Sequence, residues 1–332
     1  MSFEDWKPAS LEEKTSITQL DERTFSADLS STYCIGTVPH GGYVASVFLK
    51  VAKAYLAPRG QPDTFVGHWQ FLSRTQAGPA VLRVDEAKPG RSLSVLHITL
   101  HQTGLLAAHP WLSPEEAGRG EVAAYVTNRN MDDESGITLA TGWGIPHAPP
   151  PVADLAALPL GKDPNWQHLY TWLMRRLPMM HNLEYYVPRS SHPTPATQDL
   201  WIRLAVGERF TNTAIGYVAD AAAPLIPESY RAESRDGPVP PGRFERYTGL
   251  WYPTITMNLD IKKKLPAAGV EWLRLRVASR MIQDGRYDME LLVFDEQGDL
   301  VAIGHHVAML VGMERNYANR GEVPRSKPRE RI

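Results

Sequence analysis

Three places in this 332-residue chain combine residue types that chemistry needs. Asp220 is the only charged residue between Ala214 and Ala223, a run of Ile, Gly, Tyr, Val and Ala. A carboxylate there either faces solvent on an alanine-rich helix or is partly desolvated. Desolvation raises a carboxyl pKa toward the range of a general base. The second place is His40-Gly41-Gly42, which leads directly into the apolar run Tyr43–Leu56. Unpaired amides at a helix N-terminus favour negative charge, and glycine lets a ligand approach the backbone. That geometry suits the oxygen of a polarised carbonyl, and a plain loop-to-helix junction is the competing reading. The third is a pair of strand-like runs with polar stripes. In TITMNLD, Thr254, Thr256, Asn258 and Asp260 alternate with Ile255, Met257 and Leu259. In AIGHHVAML, His306 shares a face with Gly304 and Ala308, while His305 points to the opposite one. A lone strand histidine is more often structural than catalytic.

Other devices are absent from the sequence. There is no G-x-S-x-G elbow, no P-loop and no G-x-G-x-x-G between a strand and a helix. No Cys/His spacing resembles a zinc site, so neither a metal nor a cofactor is expected. The single cysteine, Cys34, cannot form an internal disulfide and reads as inert packing in a reducing compartment. Net charge is -2 and the basic residues do not cluster, which argues against a nucleic-acid partner. The polar, acidic N-terminus lacks the apolar core of a signal peptide, and no stretch approaches the ~20 apolar residues of a membrane span. A soluble cytosolic protein with no membrane partner is expected.

The elements that must position these residues fall into two similar regions. Residues 1–130 hold the Tyr43–Leu56 helix followed by FVGHWQFLSRT and by AVLRVDEAKPGRSLSVLHITLHQTG, two β-rich runs around a Lys88–Arg91 turn. Val122–Thr127 offers one more strand. Residues 131–195 read as a linker, proline-rich at first, with one helix in NWQHLYTWLMRRLPMMHNLEYYV, where Leu169, Trp172 and Leu173 share a face. Residues 196–313 repeat the order of the first region: strand, an apolar helix stopped by Pro224, then strands with turns at Asp284-Gly285 and Gln297-Gly298. The polar segment ESYRAESRDGPVPPGRFERY is expected to be a surface loop, and residues 314–332 a frayed basic tail. Helix followed by antiparallel strands is an α+β pattern, and its recurrence indicates tandem duplication. No carboxylate lies in Gly42–Leu56, so where the second helix has Asp220 the first has Phe48, Leu49 or a close neighbour. One site, built across the halves, is expected.

With these pieces in place, the sequence resembles the acyl-CoA thioesterase II type of double hotdog protein, within the wider thioesterase-like superfamily. LWIRLAV…TAIGYVAD is similar to that family's strand and second central helix, which ends in Gly-Tyr-Ala-Ser-Asp. GRSLSVLHITLHQTG resembles its Gly-Arg-Ser-Phe-Ser strand, and DLVAIGHHVAML its last strand. The likeness covers about residues 15–130 and 196–312. It implies two hotdog units, each an antiparallel sheet wrapped around a central helix. It also implies thioester hydrolysis by an Asp, a Thr and a Gln that orient water. Those positions fall on Asp220, Thr254 and His306, the last a departure, since histidine can also take a proton. By the same likeness the Gly42 amide polarises the thioester carbonyl, with His40, Gly41 and Tyr217 beside the substrate.

The implied partner is an acyl-CoA or a carrier-bound acyl group, including polyketide-type ones. Oligomeric state is open, a homodimer included, because a double hotdog already contains its own pseudo-dimer. Two alternatives to hydrolysis stand. One is a lyase, isomerase or cyclase that pairs His40 with Asp220, as polyketide dehydratases pair His and Asp. The other is a non-catalytic acyl-binding protein. Trp69, Phe71, Trp143, Tyr217 and Trp251 are the candidate determinants of acyl-pocket length.

Overall fold

The computed structural model of the protein describes residues 7–115, 119–145, 149–171, 174, 177–190, 192, 194–232 and 238–317. The runs with alternating apolar residues form strands, because a pleated strand sends successive side chains to opposite faces. In the first half these are β1 (Thr24–Leu29), β2 (Asp63–Phe71), β3 (Gly78–Lys88), β4 (Leu93–His101) and β5 (Val122–Arg129), with the helix α1 (Gly41–Leu56) between β1 and β2. The second half has β6 (Thr197–Leu204), β7 (Thr254–Ile261), β8 (Leu273–Ala278), β9 (Arg286–Phe294) and β10 (Leu300–Met309), with α2 (Ile215–Asp220) between β6 and β7.

Neighbouring strands run β1-β3-β4-β5-β2 in the first half and β6-β8-β9-β10-β7 in the second. Adding five to each strand number converts one order into the other, which is the imprint of a duplication. The halves join through the antiparallel pair β2–β7, where Trp69 faces Met257, giving one 14-stranded sheet. This is the double hotdog that the resemblance implies. The hairpin expected around Lys88–Arg91 is the β3–β4 pair.

The sheet buries its inner faces on the two helices. Along β4, Ser94, Leu96, Ile98 and Leu100 are buried, and α1 is buried along nearly its whole length. The two helices cross at Gly42 and Gly216. A methyl on Gly42 would stand 2.6 Å from the Gly216 carbonyl oxygen, so only glycine allows this approach. Ser46 Oγ secures the crossing by accepting a 2.9 Å hydrogen bond from the Tyr217 amide.

Two expectations about organisation change. Among its described residues, the run from Asn165 to Val187 holds no α-helix: Trp166–His168 and Leu183–Pro188 are strands that extend the second half's sheet beside β6. Trp166 and Tyr186 bury against Trp201, Trp272 and Leu158 in a small second core. Leu169 packs against the main core, and Trp172 and Leu173 lie outside the described residues. Nor does fraying begin at residue 314, since Glu314–Tyr317 is a helical turn with Asn316 fully buried. Residues 318–332 lie outside the described residues. Among those described, no helix is long and apolar enough to cross a membrane.

Candidate active site

His40 caps α1 from an extended backbone conformation, φ -59° and ψ 134°, and its Nδ1 accepts from the Tyr43 amide at 3.4 Å. With Nδ1 accepting, the neutral ring carries its proton on Nε2. That nitrogen faces α2, 3.2 Å from the Asp220 carbonyl oxygen and 3.5 Å from Asp220 Oδ2. The Tyr217 ring packs edge-on against His40, with centroids 5.4 Å apart, and holds it in place.

Asp220 is the last residue of α2 and only 3% exposed. Its carboxylate crosses to the N-terminus of α1, where Oδ2 accepts the Gly42 N–H at 2.9 Å. A helix N-terminus carries partial positive charge, so the four-turn α1 supports the anion. Oδ1 accepts the Thr254 hydroxyl at 2.9 Å, and His306 Nδ1 stands 3.4 Å away, too poorly aligned for a full hydrogen bond. The two histidines come from different halves and bracket one carboxylate.

Thr254 reaches this point through an irregularity. Strict alternation puts it on the outer face of β7 with Thr256 and Asn258, whose neighbours Met257 and Leu259 fill the core. The β7–β10 register shifts between Thr254 and Thr256, and that bulge turns Thr254 inward to the carboxylate. His306 needs no such device. It lies on the inner face of β10, fully buried, while His305 is exposed.

The electrostatics differ from the raised carboxyl pKa expected of an apolar helix. Burial alone would raise the Asp220 carboxyl, but attraction to His40, the contact with His306 and the Thr254 hydroxyl outweigh it. Asp220 therefore sits below the ordinary aspartate value. Burial pushes His40 down, and attraction to Asp220 only partly offsets that, so the ring takes a proton less readily than an ordinary histidine. Burial pushes the Cys34 thiol up to about 12, as befits inert packing.

Asp220, His40, Gly41 and Thr254 line a cavity of about 470 Å³, within the range of small-molecule sites. Its walls are apolar. Phe71 and Trp251 are there as expected, joined by Tyr252 and Met309 from the second half and by Met179 and Met180 from the segment between the halves. Sequence reasoning missed those two methionines, because nothing in a predicted surface linker marks which residues fold inward. Trp69 and Tyr217 are fully buried but not at the cavity, and Trp143 is half-exposed elsewhere. Tyr217 thus packs behind His40 and does not line the cavity.

Gly42 also differs from expectation. Its amide is engaged by Asp220, so it is not free to polarise a carbonyl. Among the described residues the adjacent Gly41 N–H has no acceptor, as the first amide of a helix has none within it, and Gly41 lines the cavity. Among the described residues, no group of three or more His, Cys, Asp or Glu side chains is arranged to hold a metal ion.

Comparison with known proteins places these features in context. The acyl-CoA thioesterase N-terminal domain family matches residues 29–113, and the acyl-CoA thioesterase C-terminal domain family matches residues 146–310. The thioesterase-like protein TwmA of Talaromyces wortmannii is 39% identical over 324 residues, covering 92% of each chain. Solved structures with the same fold include a hot dog protein of unknown function from Alicyclobacillus acidocaldarius, with TM-score 0.66 and 18% identity over 92% of this chain and 99% of that one. Another is acyl-CoA thioesterase II TesB2 from Mycobacterium marinum, with TM-score 0.58 and 17% identity over 91% of this chain and 98% of that one.

Proposed function

The chain belongs to the acyl-CoA thioesterase family, and on that premise we propose that it hydrolyses the thioester of an acyl-CoA or carrier-bound acyl group. The observation that carries this reading is the Asp220 carboxylate at the wall of an apolar cavity, held by Gly42 of one half and Thr254 of the other. The acyl chain occupies the apolar part of the cavity, and the thioester carbonyl lies at the Gly41 N–H. Charge developing on its oxygen in the tetrahedral transition state is stabilised there by the amide and the helix N-terminus.

Asp220 acts as the anion. Its low pKa keeps it deprotonated, and it either takes a proton from an attacking water or adds to the carbonyl itself. Thr254, which donates to Oδ1, keeps its lone pairs for that water. His306 occupies the place where the family's pattern has Gln and supports the same oxygen from behind, away from the cavity.

The test is Asp220→Asn, followed by release of free thiol from a panel of acyl-CoAs. Loss of a general base lowers the rate by about 100-fold or more, and near-wild-type hydrolysis of every active substrate would remove Asp220 from the mechanism. A second reading rests on the bracket of His40 and His306 around Asp220. Asp220, paired with the neutral His40 that lines the cavity beside it, takes a proton from carbon next to the thioester carbonyl, making the enzyme a lyase or cyclase. Product mass separates the two: hydrolysis incorporates a water and frees the thiol, whereas cyclisation or dehydration leaves the thioester intact.

A further inference from the structure

The loop that delivers His40 and Gly41 to the cavity, Ile35–Pro39, is held by a residue almost at the other end of the chain. Asn316 is fully buried. Its Oδ1 accepts the Thr37 N–H at 2.9 Å, and its Nδ2 donates to the Ile35 carbonyl at 2.8 Å. Its backbone carbonyl accepts the Thr37 hydroxyl at 2.8 Å. Gly36, between the two bonded residues, has φ +61°, and a methyl there would stand 2.2 Å from Asn316 Oδ1. The asparagine therefore fills a notch that only glycine leaves. Asparagine is suited to this because one side chain supplies both a donor and an acceptor. Arg74 fixes the same turn from a third direction, donating to the Arg315 carbonyl at 2.7 Å.

The residues flanking this clamp border the cavity. Ile35, Val38, His40 and Gly41 line it from one side of the clamp, and Val311 and Arg315 from the other. We propose that Asn316 is a positioning residue: by locking Ile35–Thr37 to the last turn of the second half, it sets His40 and the Gly41 amide against Asp220. The cavity wall is then completed only when the C-terminal turn is seated. The catalytic consequence rests on the thioesterase reading, whereas the positioning itself does not.

The experiment uses the full-length protein and Asn316→Ala, with two readouts. Hydrogen exchange by mass spectrometry is expected to show lost protection in the segment from Thr37 to Tyr43, with β4 protected as in wild type. Kinetics on the best acyl-CoA are expected to show kcat reduced on the order of 10- to 100-fold, as for a misplacement of about 1 Å, with a smaller change in KM. A purely structural role would lower thermal stability and loosen the molecule generally, leaving kcat per folded molecule unchanged. Wild-type protection of 37–43, or unchanged kcat despite its loss, overturns the proposal. If wild-type protein hydrolyses no thioester, the functional reading falls and the exchange data decide the positioning alone. If Asn316→Ala does not fold, Gly36→Ala, in an exposed loop, displaces the same side chain and is judged by the same two outcomes.

Discussion

The separation of the two central helices sets the bond between Asp220 and the Gly42 amide, and Gly42→Ala tests this directly. The new methyl would lie 2.6 Å from the Gly216 carbonyl oxygen, 2.7 Å from Asp220 Cβ and 2.9 Å from the Tyr217 carbonyl oxygen. Two of those atoms are backbone and cannot rotate away, so α1 and α2 must part by several tenths of an ångström. Alanine gains about 1 kcal/mol over glycine in a helix. Overpacking against fixed neighbours costs about 1–3 kcal/mol, leaving a net loss of up to about 2 kcal/mol. Activity should suffer more, because the same gap holds the carboxylate, and a 1 Å misplacement can cost about 100-fold in rate. Gly41→Ala is the control: its methyl meets Asp220 Oδ2 at 2.9 Å and Phe71 Cζ at 3.1 Å, both side-chain atoms that can yield. Denaturant unfolding should place Gly42→Ala below wild type and Gly41→Ala close to it, with thiol release reduced in both. A Gly42→Ala protein with wild-type midpoint and wild-type rate refutes the reasoning.

Thr254→Val removes the hydroxyl donor to Asp220 while keeping side-chain shape. A hydrogen bond to a charged group is worth about 1.5–3 kcal/mol, so kcat/KM should drop about 10- to 150-fold; a loss under twofold would deny Thr254 its role. Tyr217→Phe deletes a fully buried hydroxyl that has no hydrogen-bond partner among the described residues. Its kinetics should match wild type and its stability equal or exceed it, and a large rise in KM would return Tyr217 to the substrate site. The pH dependence follows from two lowered pKa values. Below about 6.5, His40 takes a proton in the unfolded chain but not in the folded one, so stability falls as pH falls. Asp220 adds a further loss as pH drops from about 3.9 through its lower folded value. Activity, which needs ionised Asp220, should hold through pH ~6.5 on the acid side. A wild-type acid limb centred at or above that pH, and absent in His40→Gln, contradicts this.

Much of the site was legible in the sequence because it rests on periodic elements. The lone charge in an alanine-rich helix marked Asp220, and the two-residue period of β10 separated buried His306 from exposed His305. Local breaks in period were not legible. Thr254 reached the site only through the bulge in β7, which inverts the face that alternation assigns to it. Trp166 and Tyr186 lie on edge strands because they found a tryptophan-rich sheet face to bury against, which local spacing does not show. Asn316 left no local signal at all. Its meaning lies in bonds to Ile35 and Thr37, some 280 positions earlier, and no window along the chain contains both ends.

The duplicated fold also explains why one carboxylate suffices. The crossing aligns Gly42-Tyr43-Val44-Ala45-Ser46 of α1 with Gly216-Tyr217-Val218-Ala219-Asp220 of α2. The counterpart of Asp220 is therefore Ser46, a close neighbour of the Phe48 and Leu49 named from sequence register. Both side chains do the same structural task, since Asp220 Oδ2 accepts an amide of α1 and Ser46 Oγ accepts an amide of α2, each at 2.9 Å. What differs is charge and company. Asp220 is an anion beside His40 and Thr254, whereas Ser46 is neutral and Ala214 stands where α1 has His40. A second buried carboxylate at position 46 would place like charges on either side of one helix crossing, each depressing the other's ionisation. Keeping a hydroxyl there preserves the crossing bond without that repulsion, so Asp220 can remain ionised at a pKa below the ordinary one.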